Sequence, residues 1–303
     1  MTNAADQDEA NTPSIGFVGA GRLAQTLAAA FVRAGIPVVA ASSRDPARRA
    51  EFAGRCGAVA TTAAAQEVVD RCSLVFLSVS DDAIEPVCAA LRWHDGQAVV
   101  HCSGATEVDA LASARSANAL VGGFHPMQMF ANPDVALAGL RGCTVGIEAE
   151  QPLRDTLERL AQSIGCVPFV LPAGIRPLYH ASAYYVGPFL IALLHEGTKL
   201  WQRFGATPPQ ALQAMVPLLR GTLAAVLDAG LARGMGGCVA RGDIGTIMRH
   251  LEALDAAEPA AGTLYRELAL RNVPLGIERG TLPAARAAQI ETLLRAGLPA
   301  TTR

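Results

Sequence analysis

Apolar positions follow two different periods along the chain, and the change from one to the other divides it. From residue 14 to about 170, short apolar runs (IGFVG, PVVAAS, LVFLSV, AVVHCS, LVGGFH, CTVGI, VPFVL) alternate with stretches of helical character. That alternation is the mark of βαβ units around a largely parallel sheet. From Ile175 onward no such run recurs. Apolar residues return instead at three and four spacing through 179–204, 208–229, 244–254, 260–272 and 283–294, which predicts amphipathic helices. Pro172, Gly174 and Pro177 punctuate the join. The expected fold class is α/β in the N-terminal half with a mostly parallel sheet, followed by an all-α half. The expected organisation is a disordered tail over 1–13, an α/β domain over 14–172 and a helical domain over 173–303. The most apolar long stretch, 181–194, is too short to span a bilayer and is closed by His195, Glu196 and Lys199, so it reads as a buried core helix.

Length and composition agree with two globular domains. At 303 residues the chain exceeds the usual span of one hydrophobic core, and 51% of it is hydrophobic. A formal net charge of -2, from 25 basic and 27 acidic residues, gives no overall field to recruit nucleic acid or an anionic membrane. Seven cysteines, at 56, 72, 88, 102, 143, 166 and 238, show no metal-ligand spacing and read as reduced thiols. No metal site is expected. The opening MTNAADQDEANTP is acidic and polar where a signal peptide needs a basic start and an apolar run, so the expected location is cytoplasmic.

The first strand runs directly into Gly19-Ala20-Gly21-Arg22-Leu23-Ala24, a G-x-G-x-x-A turn that opens the helical run QTLAAAFVRAG. Gly19 permits the tight turn, Gly21 lets backbone approach a pyrophosphate, Ala24 keeps the helix close to the strand, and the helix amides meet the dianion. Strand, turn and helix together predict a Rossmann dinucleotide site. The second strand would end in an acid, about 20 residues past the glycines, if it held a free ribose 2′-hydroxyl. It ends in Ser42-Ser43-Arg44. Hydroxyls and a guanidinium suit a 2′-phosphate, so NADP(H) is favoured over NAD(H). Asp45-Pro46 reads as the start of the next helix.

Ligands of open α/β sheets bind at the carboxyl ends of the strands, where LSVSDDAI, HCSGA and GFHPMQMF lie. Ser78, Val79 and Ser80 are expected beside the cofactor, with Asp81 and Asp82 in the first turn of a helix. Ser103-Gly104 offers a hydroxyl and a side-chain-free approach near the nicotinamide, and Ser103 either binds substrate or caps the turn at Thr106. His125 is a candidate general acid, the alternative being a histidine locked in a turn. His180, one turn into the first long helix, is either a second proton donor or a satisfied core residue. Arg241, Asp243, Thr246 and His250 form the polar exception in the helical half. Arg241 either clamps a substrate carboxylate or pairs with Asp243, and Asp243 is a plausible N-cap. Cys102 has no evident activating base, which argues against a thiol nucleophile.

GFVGAGRLA at 16–24, VSDDAI at 79–84, HCSGA at 101–105, HPMQMF at 125–130, YHASA at 179–183 and ARGDIGTIMRHLEAL at 240–254 together resemble a bacterial family of oxidoreductases. In that family a Rossmann-like domain precedes a helical domain of unknown function, DUF2520. Its architecture is similar to pyrroline-5-carboxylate reductases, ketopantoate reductases, and 3-hydroxyisobutyrate and 6-phosphogluconate dehydrogenases. The resemblance implies NADP(H), a cleft active site and a homodimer built through the helical domain. It also implies that Ser103-Gly104 and His180 stand where the β-hydroxyacid relatives place a Ser-Gly segment and a lysine. The chain departs from those relatives in having no lysine near His180, and Gly187-Pro188 in place of an asparagine.

These readings give an NADP(H)-dependent oxidoreductase of a small carbonyl or imine substrate, a carboxylate-bearing 2-oxo acid among the candidates. The catalytic candidates are His125, His180, Ser103, Arg241, Asp243 and His250. The alternative is a non-catalytic NADP(H)-binding sensor or regulatory protein, which explains the glycine turn and Arg44 equally well.

Overall fold

The computed structural model describes residues 12–296 and Leu298; the expected tail over 1–13 lies outside them but for Thr12 and Pro13. The chain forms two compact units, residues 1–187 and 188–303. The first carries eight strands: β1 (Ile15–Val18), β2 (Val38–Ser42), β3 (Ala60–Thr62), β4 (Leu74–Leu77), β5 (Ala98–His101), β6 (Leu120–Pro126), β7 (Thr144–Ala149) and β8 (Val167–Val170). They form one sheet in the order β3-β2-β1-β4-β5-β6-β7-β8. Every neighbouring pair is parallel except β6–β7. Strand order reverses beside β1, between β2 and β4, which is where open α/β sheets open a crevice for ligands. The mostly parallel sheet is as the sequence predicts. β3 is an addition: Ala-Thr-Thr is too short and too weakly apolar to register as a strand.

Helix α1 (Arg22–Arg33) follows β1 with Gly21 as its N-cap and no side chain satisfying the first amides. Its alanines allow close packing, and Ala24, Leu27, Ala28 and Phe31 are buried on the sheet. Phe17, Phe31, Phe52, Phe76 and Phe124 fill that face of the core, with Phe76 stacked on Phe17 at 5.1 Å and edge-on to Phe124 at 5.4 Å. Val75, Leu77, Ile84, Val99 and Leu111 make the core of the opposite face. The remaining helices of this unit are α2 (Pro46–Cys56), α3 (Ala65–Val69), α4 (Asp81–Ala90), α5 (Ala112–Ser116), α6 (Pro133–Ala138), α7 (Leu153–Ser163) and α8 (Arg176–Val186).

The sheet-bearing unit extends past 172, the boundary read from the change of period, because α8 packs into it: Arg176 is fully buried there and Tyr179 nearly so. The single helix expected over 179–204 is two. It breaks at Gly187, whose φ is -103° and ψ -97°, since the ring of Pro188 disfavours helical backbone in the residue before it.

The second unit contains α9 (Pro188–Gln202), α10 (Pro208–Gly234), α11 (Ile244–Ala257), α12 (Pro259–Glu278) and α13 (Ala284–Arg295). Val239, Ile247, Leu251, Val273, Ile290 and Leu294 form its core. Within α10 the path breaks at Gly230 (φ 81°, ψ 172°), a backbone conformation open to glycine.

The stretch 181–194 is not a buried core helix. Val186 is 72% exposed, and Tyr185, Phe189, Ile191 and Leu193 are also exposed. Helix α10 is similar, with Leu218 at 74% and Leu227 at 78%. Both are apolar around most of their circumference, so packing along one face leaves the others turned outward. Among the described residues one helix, α10, is long and apolar enough to cross a membrane.

Phe76 touches Phe17, Phe31 and Phe124 at the centre of the first core. Phe76→Ala is expected to cost roughly 3–5 kcal/mol of stability, read by urea denaturation.

Candidate functional site

The glycine turn has the shape expected of a dinucleotide cradle. Gly19 has φ 104°, and a Cβ there would stand 2.5 Å from the carbonyl oxygen of Ser78. Only glycine fits. Ser78 Oγ donates to the Gly19 carbonyl at 2.9 Å, and the Gly19 amide donates to the Ser42 carbonyl at 2.9 Å, so the ends of β2 and β4 fix the turn. Gly21 faces open space where a Cβ would point, and the amides at the start of α1 have no side-chain cap. Those amides, with the positive end of the helix, fit a pyrophosphate.

At the end of β2, Ser42 is buried, while Ser43 is half-buried and Arg44 exposed. Arg49 donates to the carbonyls of Ser43 (2.6 Å) and Arg44 (3.2 Å) and so holds this loop. Asp45 caps α2 through the Ala47 amide at 2.9 Å, leaving the guanidinium of Arg44 as the group suited to a 2′-phosphate. Ala20 is buried, Arg22 exposed and Leu23 half-buried. Beyond β4, Val79 is half-buried, and Ser80 is the exposed N-cap residue of α4, with no cap bond from its side chain.

The carboxyl ends of β5 and β6 meet α8 in a polar cluster. His125 Nδ1 and Tyr179 Oη are 3.0 Å apart, and Tyr179 Oη lies 3.3 Å from the His125 carbonyl oxygen. His180 stands edge-on to His125, ring centres 5.7 Å apart, and Tyr184 edge-on to His180 at 5.5 Å. A Cβ on Gly104 would be 2.5 Å from His180 Cδ2 and 2.8 Å from His125 Nε2, so the missing side chain is what lets both imidazoles converge on this backbone.

Arg176, fully buried, donates from Nε to Glu148 at 2.5 Å and from Nη1 to the Ser103 carbonyl at 2.7 Å. Its Nη2 has no partner among the described residues and lies where a Cβ of Gly123 would be. Ser103 Oγ accepts from the amides of Ala105 (3.2 Å) and Thr106 (3.0 Å). Of the two readings of Ser103, capping is the one its bonds display.

Burial dominates the electrostatics. It holds His125 down to about 4, helped by the charges of His180 and Arg176. His101, fully buried on β5 with neither nitrogen hydrogen-bonded among the described residues, is held down to about 3 by burial, Arg176 and His125. Burial lifts Glu148 above the ordinary carboxylate range while its hydrogen bond from Arg176 pulls the other way. Cys102 is pushed up to about 12 by burial, which keeps it a thiol.

The structure therefore brings together His125, His180, Ser103 and Gly104. The helical unit holds the other three candidates. Asp243 caps α11 by accepting from Thr246 N (3.0 Å) and Thr246 Oγ1 (2.7 Å), and Arg241 is exposed. His250 Nδ1 lies 3.1 Å from Tyr265 Oη, beside a cavity of about 250 Å³ that Cys238 and Leu268 also line. Arg241 and Asp243 make no ion pair among the described residues. Sequence reasoning missed Arg176, Tyr179, Glu148, His101 and Arg49. The first two carried a signal: Arg176, Tyr179, His180 and Tyr184 recur at helical spacing on one face of RPLYHASAY.

His101 and His125 have folded values below the unfolded one near 6.5, so their neutral forms give stability that is fully present above that value and is lost as pH falls through the window below it. Between pH 7 and 5 each is expected to withdraw roughly 2 kcal/mol from the stability of the fold. Urea titrations at both pH values check this, and His101→Gln is expected to flatten the slope.

Residues 14–104 match the family described as NADP oxidoreductase coenzyme F420-dependent, and residues 143–272 match the domain of unknown function DUF2520. No curated protein matches the chain. Protein TM1727 of Thermotoga maritima is similar in structure, with 22% identity, a TM-score of 0.70, and coverage of 87% of this chain and 98% of that one. A pyrroline-5-carboxylate reductase of Coxiella burnetii gives 16% identity and 0.55, covering 92% and 99%. A reductive aminase of Aspergillus terreus, in complex with NADPH and ethyl-5-oxohexanoate, gives 16% and 0.59, covering 94% and 93%. Likeness at these identities shows a shared fold. Residues 14–104 thus carry a likeness to an NADP oxidoreductase domain, and residues 143–272 a likeness to DUF2520.

Proposed function

We propose that this protein is an NADP(H)-dependent reductase of a small carbonyl or imine substrate, one that carries a carboxylate. The observation that supports it is the convergence of His125 and His180 on side-chain-free Gly104, at the carboxyl edge of a sheet whose first turn is shaped for a dinucleotide. The α1 amides with Gly19 and Gly21 would hold the pyrophosphate, and Ser43 with Arg44 the 2′-phosphate. When bound, the dinucleotide supplies a hydride from its nicotinamide. Gly104, lacking a side chain, admits the two imidazoles. The histidines would orient the oxygen or nitrogen of the substrate and govern its proton.

Fluorescence titration with NADPH and NADH, followed by a panel of 2-oxo acids and cyclic imines, tests the reading. Tight NADPH binding with turnover is expected. Binding without any turnover would make the protein an NADP(H) sensor, and failure to bind either nucleotide would overturn the cofactor reading. Arg44→Ala is expected to weaken NADPH binding about tenfold or more and to leave NADH nearly unchanged, since it removes a charge-assisted contact to the 2′-phosphate alone.

We also propose that a second copy covers the apolar faces of α9 and α10, giving a homodimer through the helical unit with no membrane and no nucleic-acid partner. Its setting would be the cytoplasm, where the seven free thiols remain reduced. Support comes from the exposed Leu218, Leu223, Leu227 and Leu231 on α10, an apolar extent rare on a soluble monomer. The charges of Arg220 and Asp228 and the break at Gly230 oppose insertion of that helix in lipid. Light scattering after size exclusion is expected to give the dimer mass, and Leu227→Glu the monomer. Purification only with detergent would contradict this.

A further inference from the structure

The hydrogen bonds around Tyr179 bear on which proton the site carries. Tyr179 Oη meets His125 twice, at Nδ1 (3.0 Å) and at the backbone carbonyl oxygen (3.3 Å), with the Gly146 backbone also beside it. A hydroxyl has one proton. If it went to Nδ1, the phenol and carbonyl oxygens would face each other with lone pairs only. If it goes to the carbonyl, Nδ1–H donates to Oη and both contacts are hydrogen bonds. The second arrangement satisfies every group, and it fixes the tautomer, since a neutral imidazole protonated at Nδ1 is bare at Nε2. Nε2 is the atom beside Gly104, 2.8 Å from where a Cβ would stand, while His180 turns its Cδ2 edge to the same space. Tyr179 itself is held flat against β7 because Gly146 has no side chain: a Cβ there would be 2.8 Å from the phenol carbon and oxygen.

We infer that His125 offers the reacting group a lone pair and not a proton, so the site selects a substrate that brings its own N–H: an iminium for reduction, an amine for the reverse. This rests on the reductase reading and narrows it. Reduction of an iminium adds hydride to carbon and returns the C=N π pair to a nitrogen that already holds its proton, so His125 need only accept the N–H hydrogen bond. A ketone turns lone pairs toward Nε2 and needs a proton that this tautomer lacks. The surroundings of His125 keep it neutral: burial holds it down to about 4, His180 and Arg176 from α8 repel a second proton, His101 from β5 is itself held down to about 3 by burial, and Tyr179 is pushed up to about 12 by burial, which keeps the phenol protonated. Tyr179 is thus a positioning residue, acting on substrate through His125.

Long-range proton–nitrogen NMR of histidine-labelled protein at pH 7, with His125 assigned by its loss in His125→Gln, reads the tautomer directly and needs no substrate. The expected spectrum has Nδ1 protonated and Nε2 bare, with Tyr179→Phe losing the single-tautomer signature. A proton on Nε2, or an imidazolium, would overturn the inference. In kinetics with NADPH, kcat/KM for a cyclic iminium is expected to exceed that for the matched ketone by at least about tenfold, and Tyr179→Phe to narrow the gap. Equal or reversed preference in a turning-over enzyme would overturn the substrate choice. The predicted tautomer with NADPH bound and no turnover of either would instead overturn the reductase reading, and the substrate class with it, while leaving the assignment of His125 intact.

Discussion

Arg176 is the residue on which the candidate site depends. Its guanidinium is sealed in the fold, with the Glu148 carboxylate on one side and the Ser103 carbonyl on the other. A charge taken so far from water is tolerable only with a partner, and removing one member of such a pair costs about 3–5 kcal/mol. The pair joins α8 to β7 and to the loop after β5, and in doing so sets down Tyr179 and His180 one turn along the helix. Its field reaches His101 and His125 and discourages a proton on either.

The cluster exists because three positions have no side chain. A Cβ at Gly123 would stand 1.7 Å from Arg176 Nη2, one at Gly146 would strike the Tyr179 ring, and one at Gly104 both histidines. None of the three has positive φ, so glycine is required there for space and not for backbone freedom. Gly19 differs in needing both. Strands β6 and β7 and the loop after β5 are thus hollowed to admit one helix face, and the hollow is where the polar chemistry collects.

Much of this was legible in the sequence and some was not, for physical reasons. The sheet and the glycine turn announce themselves through local pattern: apolar runs of strand length, then G-x-G-x-x-A where a strand meets a helix. His125 and His180 were readable as candidates from their places at a strand end and on a first helical turn. Their contact was not, because it depends on Gly104, distant from both in the chain. Arg176 paired with Glu148 lies beyond any local rule, since the partners are separated by a helix, a β-strand and loops. The stretch 181–194 misled because hydrophobicity does not say what covers it; in this chain the apolar faces of α9 and α10 turn outward.

On the proposed function, the two histidines and the glycine between them stand at the reacting end of a bound nicotinamide. A crystal structure of the NADPH complex tests that most directly. The pyrophosphate is expected on the amides of α1 and the nicotinamide ring against Gly104, with His125 Nε2 within hydrogen-bond reach of a group seated on its C4. A nicotinamide lying away from Gly104, with both histidines facing protein alone, would contradict it.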